Sequence, residues 1–192
     1  GAAATGDAEA LGATAKSLGY NAVSAVPPYY YKHGADDIHA YYQAIADAAD
    51  LPVIIYNIPA LSGTDLSTQS LLNLMQDSRI VGAKFTAPDL FQFQQLRTRA
   101  PNKKFYFGTD EMFMGATAMG SDGGIGSTYN LIGDVYVGIE AAVNAGDIDC
   151  ARSLQAKANA LIAILLQTGV MPGLKHAMNR MGIPVGPCRA PF

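Results

Sequence analysis

Five short apolar runs, centred near residues 24, 55, 83, 106 and 124, alternate with segments whose apolar residues recur at helical spacing. The runs read as strands over 21–26, 53–56, 80–85, 104–107 and 122–127. The stretches between and after them read as helices over 7–18, 36–49, 67–76, from 88 onward, and over 111–119, 134–144, 148–168 and 173–181. Leu11, Ala15 and Leu18 share one face of the first helix, and Ile38, Tyr41, Tyr42, Ile45 and Ala49 one face of the second. Pro88 suits the first turn of the helix that carries Leu90, Phe93 and Leu96.

Repeated strand–helix units with short connections require parallel strands joined by crossovers. A doubly wound sheet and a TIM (β/α)8 barrel both begin this way. The barrel is the expected α/β architecture, because polar residues stand at the C-terminal ends of successive strands, where a barrel gathers its functional groups. A doubly wound sheet concentrates them at one switch point. The chain opens Gly1-Ala2-Ala3-Ala4-Thr5-Gly6, without a methionine, as a loop running into a helix. Residues 1–192 are therefore expected to form one domain holding about strands four to eight of the barrel, plus a C-terminal helical extension, with the first three strands upstream. Alone, such a portion would expose strand edges and apolar faces and is expected to be unstable and catalytically poor.

Composition narrows the partners. With 49% hydrophobic residues in 192, the chain can bury a core. Its net charge of −3 offers no basic surface for nucleic acid or an anionic membrane. Lys103-Lys104, the one paired basic cluster, reads as a solvated strand start. Cys150 and Cys188 follow no metal or redox spacing and fit reduced thiols in a cytoplasmic protein. The most apolar segment, 161–166, is too short to span a bilayer.

The strand ends carry the chemistry. They read Tyr29-Tyr30-Tyr31, Tyr56-Asn57, Lys84-Phe85-Thr86, Gly108-Thr109-Asp110-Glu111 and Ser127-Thr128-Tyr129-Asn130. In a barrel these groups would face one pocket mouth. Lys84, on an apolar strand, is costly to bury as a cation, so burial would favour its neutral, nucleophilic amine. With the Tyr56 phenol it forms the pair that Schiff-base chemistry uses. The competing readings are a lysine reaching out to water and an Asp110 that merely caps the next helix. Asp110-Glu111 has no histidine at a matching strand end, and His33, His39 and His176 read as packed or solvated, so no metal is expected. Gly120, Gly123, Gly124 and Gly126 run into a strand instead of out of one and fit no phosphate-loop pattern. Met112, Met114, Met119, Met171, Met178 and Met181 sit at helical spacings and are expected in the core. The three tyrosines at 29–31 suggest an interface.

With those residues set out, the chain resembles the N-acetylneuraminate lyase family, within the superfamily that also holds dihydrodipicolinate synthase. The resemblance rests on Tyr56-Asn57-Ile58-Pro59-Ala60-Leu61-Ser62-Gly63, Gly82-Ala83-Lys84-Phe85-Thr86, Gly108-Thr109-Asp110-Glu111, Gly124-Ile125-Gly126-Ser127-Thr128-Tyr129-Asn130 and Gly182-Ile183-Pro184-Val185-Gly186-Pro187-Cys188-Arg189. It implies a class I aldolase on a TIM barrel, normally a homotetramer, acting on a sugar acid and pyruvate. Lys84 would form the imine and Tyr56 would relay the proton, with no metal or organic cofactor. Thr86, Gly108, Asp110, Glu111 and Ser127 match positions that hold the hydroxylated sugar portion, and Tyr30 one that reaches a neighbouring subunit's site.

Three features qualify the resemblance. Dihydrodipicolinate synthases typically carry an arginine after Tyr-Asn-x-Pro, and this chain has Ala60-Leu61-Ser62 there, which favours a neutral sugar tail over a dicarboxylate. Thr109 departs from the aromatic found in some lyases. The Gly-(Ser/Thr)-Thr-Gly-Glu stretch that binds the substrate carboxylate in relatives does not occur in these residues. Two further readings are a pyruvate-dependent aldolase for another aldehyde, and a non-catalytic sugar-acid-binding barrel.

Overall fold

The structure is a computed structural model that describes residues 1–192. Its elements follow the alternation read from the sequence. They are α1 (Thr5–Ser17), β1 (Val23–Ala25), α2 (Ala35–Ala49), β2 (Val53–Asn57), α3 (Pro59–Ser62), α4 (Thr68–Leu74), β3 (Ile80–Phe85), α5 (Leu90–Arg99) and β4 (Lys104–Phe107). A 3₁₀ turn (Asp110–Met112) and the helices α6 (Phe113–Ala118), α7 (Tyr129–Asn144), α8 (Ile148–Thr168) and α9 (Val170–Arg180) follow. Internal contacts divide the chain into one unit of residues 1–106 with 119–122 and another of 107–118 with 123–192.

In the first unit the strands stand in the order β1-β2-β3-β4, and the β1–β2 and β2–β3 pairs are parallel. In-order parallel pairing is what short βα connections produce. β2 alternates buried and half-buried residues, so Val53, Ile55 and Asn57 face the helices while Ile54 and Tyr56 point to the other face. Helix α2 is amphipathic as read: Ile38, Tyr41, Tyr42, Ile45 and Ala49 are all buried, and the Tyr42 hydroxyl donates to the Ala25 carbonyl. Phe85, Phe93 and Phe105 form an aromatic seam between β3, α5 and β4, with ring centroids 5.6 and 6.3 Å apart. At about 25 cal/mol per Å² of apolar surface, three such rings are a large share of the burial energy in this layer.

Gly82 is where two strands come closest. A Cβ there would lie 1.8 Å from the Lys104 carbonyl oxygen. Only a residue without a side chain allows β4 to take this path.

Several expectations are corrected. Helix α1 buries Ala8 and Gly12, while Leu11 and Leu18 are 59% and 70% exposed. The reason is close approach: Gly12 packs so tightly on α2 that a Cβ would sit 3.1 Å from that of Ala49. Helix α5 starts after Asp89, whose carboxylate caps the Gln92 amide, and Pro88 lies outside it. The run expected as a fifth strand pairs with β4 in parallel over a short length, by bonds from the Asp122 amide to the Phe105 carbonyl, from the Phe107 amide to the Gly123 carbonyl and from the Ile125 amide to the Phe107 carbonyl. Positive φ at Gly123 keeps it from forming a longer strand. Met119, Met171 and Met181 are exposed and the buried methionine is Met75. Lys103 is not simply solvated, since its ammonium donates to the carbonyls of Asp77 and Ile80.

Ahead of β3, Arg79 bridges Asp77 and Asp47. The hydrogen bond from the Arg79 guanidinium holds the Asp77 carboxyl down at about 2. A depressed folded value means the pair stabilises the fold above the ordinary carboxylate pKa and loses that contribution as pH falls through about 2. Asp77→Asn is therefore expected to lower stability at pH 7 by about 1 kcal/mol, a figure discounted because Arg79 is exposed. The gap from the parent, read by urea unfolding across pH, should shrink steadily below pH of about 4. A gap independent of pH would show that the carboxylate charge is not what matters.

In the second unit, α7, α8 and α9 pack in sequence around Tyr136, Ile139, Ala158 and Leu165. Helix α8 begins at Ile148, capped by the Asp147 carboxylate on the Cys150 amide. Lys175 and Asn179 on α9 hold the final segment by bonds to the carbonyls of Val185, Pro187 and Gly186. No single helix is long and apolar enough to cross a membrane. Cys150 and Cys188 are free thiols.

Candidate active site

The β2–β3 register places Tyr56 directly opposite Lys84. Partners in a parallel pair project to the same face, so the two side chains meet. The Lys84 Nζ lies 3.9 Å from the centroid of the Tyr56 ring, a cation–π contact. Both side chains are only half-buried, on the face of the sheet away from the Phe85 seam. The amine is thus held by a rigid strand next to an ionisable phenol while remaining open to a reactant.

Around this pair the strand ends carry buried polar atoms. The Thr86 amide donates to the Asn57 carbonyl at 2.8 Å, tying the ends of β2 and β3 together. The Thr86 hydroxyl and both side-chain amide atoms of Asn57 are buried without a hydrogen-bond partner. Such groups are costly unless something hydrogen-bonds to them, so the Thr86 hydroxyl, on the Lys84 side of the sheet, marks a place where a polar ligand or water would be held, whereas the Asn57 amide lies on the helix side. Asn57 stands in the strand-end set read from the sequence, but without an assigned role there. After β1, Tyr30 is 86% exposed with φ of 84°, and its ring meets Tyr31 edge-on at 4.8 Å.

The other candidates lie in the second unit. Gly108 and Thr109 lead into the 3₁₀ turn, where Asp110 is buried and Glu111 exposed. Asp110 does not cap that turn. Its Oδ2 accepts from the Thr128 amide at 3.0 Å and from the Thr128 hydroxyl at 2.5 Å. Thr128 Oγ1 is in turn 2.6 Å from the Tyr136 hydroxyl. Gln155 donates to the Asp110 carbonyl at 3.1 Å and accepts from the Met114 amide at 2.8 Å. Asn159 donates to the Glu111 carbonyl.

Glycines make room for this cluster. A Cβ on Gly126 would fall 1.6 Å from an Asp110 carboxylate oxygen, and one on Gly124 would fall 2.0 Å from the Tyr129 hydroxyl. Ser127 follows as an exposed residue just before Thr128, the N-cap of α7. Tyr129 and Tyr136 stack at 4.0 Å, and Phe113 meets each ring edge-on. Burial, reinforced by the Asp110 charge, pushes the Tyr136 hydroxyl up to about 12. Burial raises Tyr129 as well. Both phenols are therefore protonated donors at neutral pH. Thr128 belongs to a strand end read from the sequence but without an assigned role, and Tyr136 and Gln155 lie outside the candidate set, because nothing local in the sequence ties them to Asp110. No three His, Cys, Asp or Glu side chains are grouped to hold a metal ion.

The model of the dihydrodipicolinate synthetase family matches residues 1–192. The chain belongs to that family. The family's fold is the (β/α)8 barrel, and the parallel βα units here are part of it. Among its members, an N-acetylneuraminate lyase of Rhizobium meliloti is 42% identical over 192 residues, all of this chain and 64% of the relative. The chain thus spans just under two-thirds of that relative's length. Among solved structures, CdNal from Clostridium difficile in complex with mannosamine superposes with a TM-score of 0.97 at 37% identity, covering 100% of this chain and 66% of the other. N-acetylneuraminate lyase from Fusobacterium nucleatum complexed with pyruvate gives 0.92 at 35% identity, covering 98% and 64%.

Proposed function

We propose that the protein carrying this chain is a class I aldolase that cleaves N-acetylneuraminate to N-acetylmannosamine and pyruvate. The observation that carries this reading is Lys84 Nζ at 3.9 Å from the Tyr56 ring on paired strands. Membership of the dihydrodipicolinate synthetase family and 42% identity to an N-acetylneuraminate lyase support it.

In this mechanism the neutral Lys84 amine attacks the C2 keto carbon of the open-chain sugar acid, and water leaves to give a protonated imine. Tyr56 relays a proton as the C3–C4 bond breaks: its oxygen takes the proton of the C4 hydroxyl while its own proton passes to water, from which C3 is later protonated. The electron pair of that bond flows into the imine as an enamine, and the aldehyde departs. Protonation at C3 and hydrolysis then release pyruvate and restore the amine. The imine is the electron sink, so the reaction needs no external cofactor and no metal. Thr86, Gly108, Asp110, Glu111 and Ser127 are the residues proposed to bind the hydroxylated portion of the substrate. Carboxylates suit that task because each oxygen accepts hydroxyl hydrogen bonds with defined geometry. The absence of an arginine in Ala60-Leu61-Ser62 favours a sugar tail over the dicarboxylate of a dihydrodipicolinate synthase.

The same reading assigns residues 1–192 to about strands four to eight of one barrel domain in a cytoplasmic homotetramer. In it the exposed Tyr30 reaches a neighbouring subunit. Neither nucleic acid nor membrane is a partner in this reading.

The test uses the full-length protein with N-acetylneuraminate, borohydride reduction, peptide mapping by mass spectrometry and an assay for N-acetylmannosamine. A pyruvyl adduct on Lys84 with release of N-acetylmannosamine is the expected result. An adduct formed from pyruvate without cleavage of the sugar acid would keep the aldolase and discard the substrate. No adduct from either compound would leave a non-catalytic binder.

A further inference from the structure

We propose that Thr128 and Tyr136 are positioning residues that determine sugar selectivity by locking the carboxylate of Asp110. The inference rests on the aldolase reading above and deepens it.

The bonds have a definite direction. The single hydroxyl proton of Thr128 is committed to Asp110 Oδ2. Thr128 Oγ1 can therefore only accept from Tyr136, and the phenol must donate. The chain runs Tyr136 O–H to Thr128 Oγ1, and Thr128 O–H to Asp110 Oδ2, and the Thr128 amide adds a second bond to the same oxygen. Each end of the chain is fixed. Tyr136 is 1% exposed and stacked on Tyr129 at 4.0 Å, so packing holds its ring in place. The Asp110 backbone is pinned by Gln155, and Gly126 closes against the carboxylate from the other side.

A carboxylate held at one oxygen by two donors presents its group in one orientation. It binds a sugar hydroxyl well only where that hydroxyl matches the orientation. Loosening the lock should leave the chemistry at Lys84 alone and weaken selection of the sugar portion.

The experiment compares Thr128→Val, Thr128→Ser and Tyr136→Phe with Asp110→Asn in the full-length protein. The readouts are kcat and KM for N-acetylneuraminate and the rate of borohydride trapping of pyruvate on Lys84. Thr128→Val is expected to raise KM for the sugar acid about tenfold, on the scale of a hydrogen bond to a charged group, and Tyr136→Phe about fivefold, because its bond is to a neutral hydroxyl. Trapping of pyruvate should stay at the parent rate, and Thr128→Ser should restore the parent KM. A sugar KM unchanged in Thr128→Val while Asp110→Asn raises it would overturn the lock and spare the aldolase reading. A parallel fall of trapping and cleavage in Thr128→Val and Tyr136→Phe would reduce both residues to structural parts and overturn it too. Failure of the parent protein to cleave the sugar acid overturns both inferences.

Discussion

Lys84→Arg is expected to abolish the borohydride-trapped adduct and to lower turnover by roughly 10⁴-fold or more, the scale seen when a covalent nucleophile is removed. Arginine preserves the positive charge and can still lie over the Tyr56 ring, so the cation–π contact survives. What it cannot supply is a neutral amine, because the guanidinium stays protonated at any working pH. The melting temperature of the variant should therefore stay close to that of the parent while activity disappears. Tyr56→Phe separates the partner's role. The ring remains, the phenol is lost, and turnover should fall by roughly 10²–10⁴-fold, the range for a positioned acid–base group. Pyruvate should still trap on Lys84. Retained turnover in Lys84→Arg would overturn imine catalysis at Lys84.

The largest loss of stability is expected from Gly82→Ala. The added methyl group would sit 1.8 Å from the Lys104 carbonyl oxygen, 2.7 Å from its carbon and 2.8 Å from its nitrogen. All three are backbone atoms of a neighbouring strand, so no rotamer change relieves the clash. β4 would have to leave its place and strip cover from Phe105, which is fully buried against Phe93. Ordinary overpacking costs about 1–3 kcal/mol, and a backbone clash in a sheet should reach at least the top of that range. The midpoint of urea unfolding and the soluble yield of the full-length protein report it. Gly133→Ala on α7 is the matched control, because nothing lies within 4 Å of its added Cβ. Alanine there should be neutral or stabilising by up to about 1 kcal/mol, given its better helix propensity. Equal behaviour of the two variants would show that β4 is free to shift.

Both effects concern elements that a reader of the sequence can find. β3 spans the same residues, 80–85, that its apolar run marks, and α8 begins and ends at 148 and 168 as its periodicity requires. Strong apolar runs bounded by turn residues leave the backbone little choice, and Asp147 and Gly169 stand at the two boundaries of α8 as its caps. The pairing of Tyr56 with Lys84 was also within reach. Two strand ends in consecutive βα units of a parallel sheet become neighbours once the order of strands is set.

Other features were invisible locally. Helix α1 turns Ala8 and Gly12 inward and leaves Leu11 and Leu18 outside, although hydrophobic periodicity ranks them the other way. Small residues win there because helix axes can approach only where side chains are absent, and periodicity measures greasiness, not closeness. The expected fifth strand is shortened to the pairing of 122–125 with β4, because glycine permits extended pairing without enforcing it. The Asp110 lock draws on residues 18, 26 and 45 positions away along the chain, at Thr128, Tyr136 and Gln155.

The order of residues alone thus decides which stretches become strand or helix and brings the amine to the phenol, because those outcomes depend on short-range period and on the sequence of βα units. Which face each helix buries, and which distant hydroxyls hold a buried carboxylate, was decided only when the elements packed. Close packing and the cost of an unpaired polar atom act between groups that the chain itself keeps far apart.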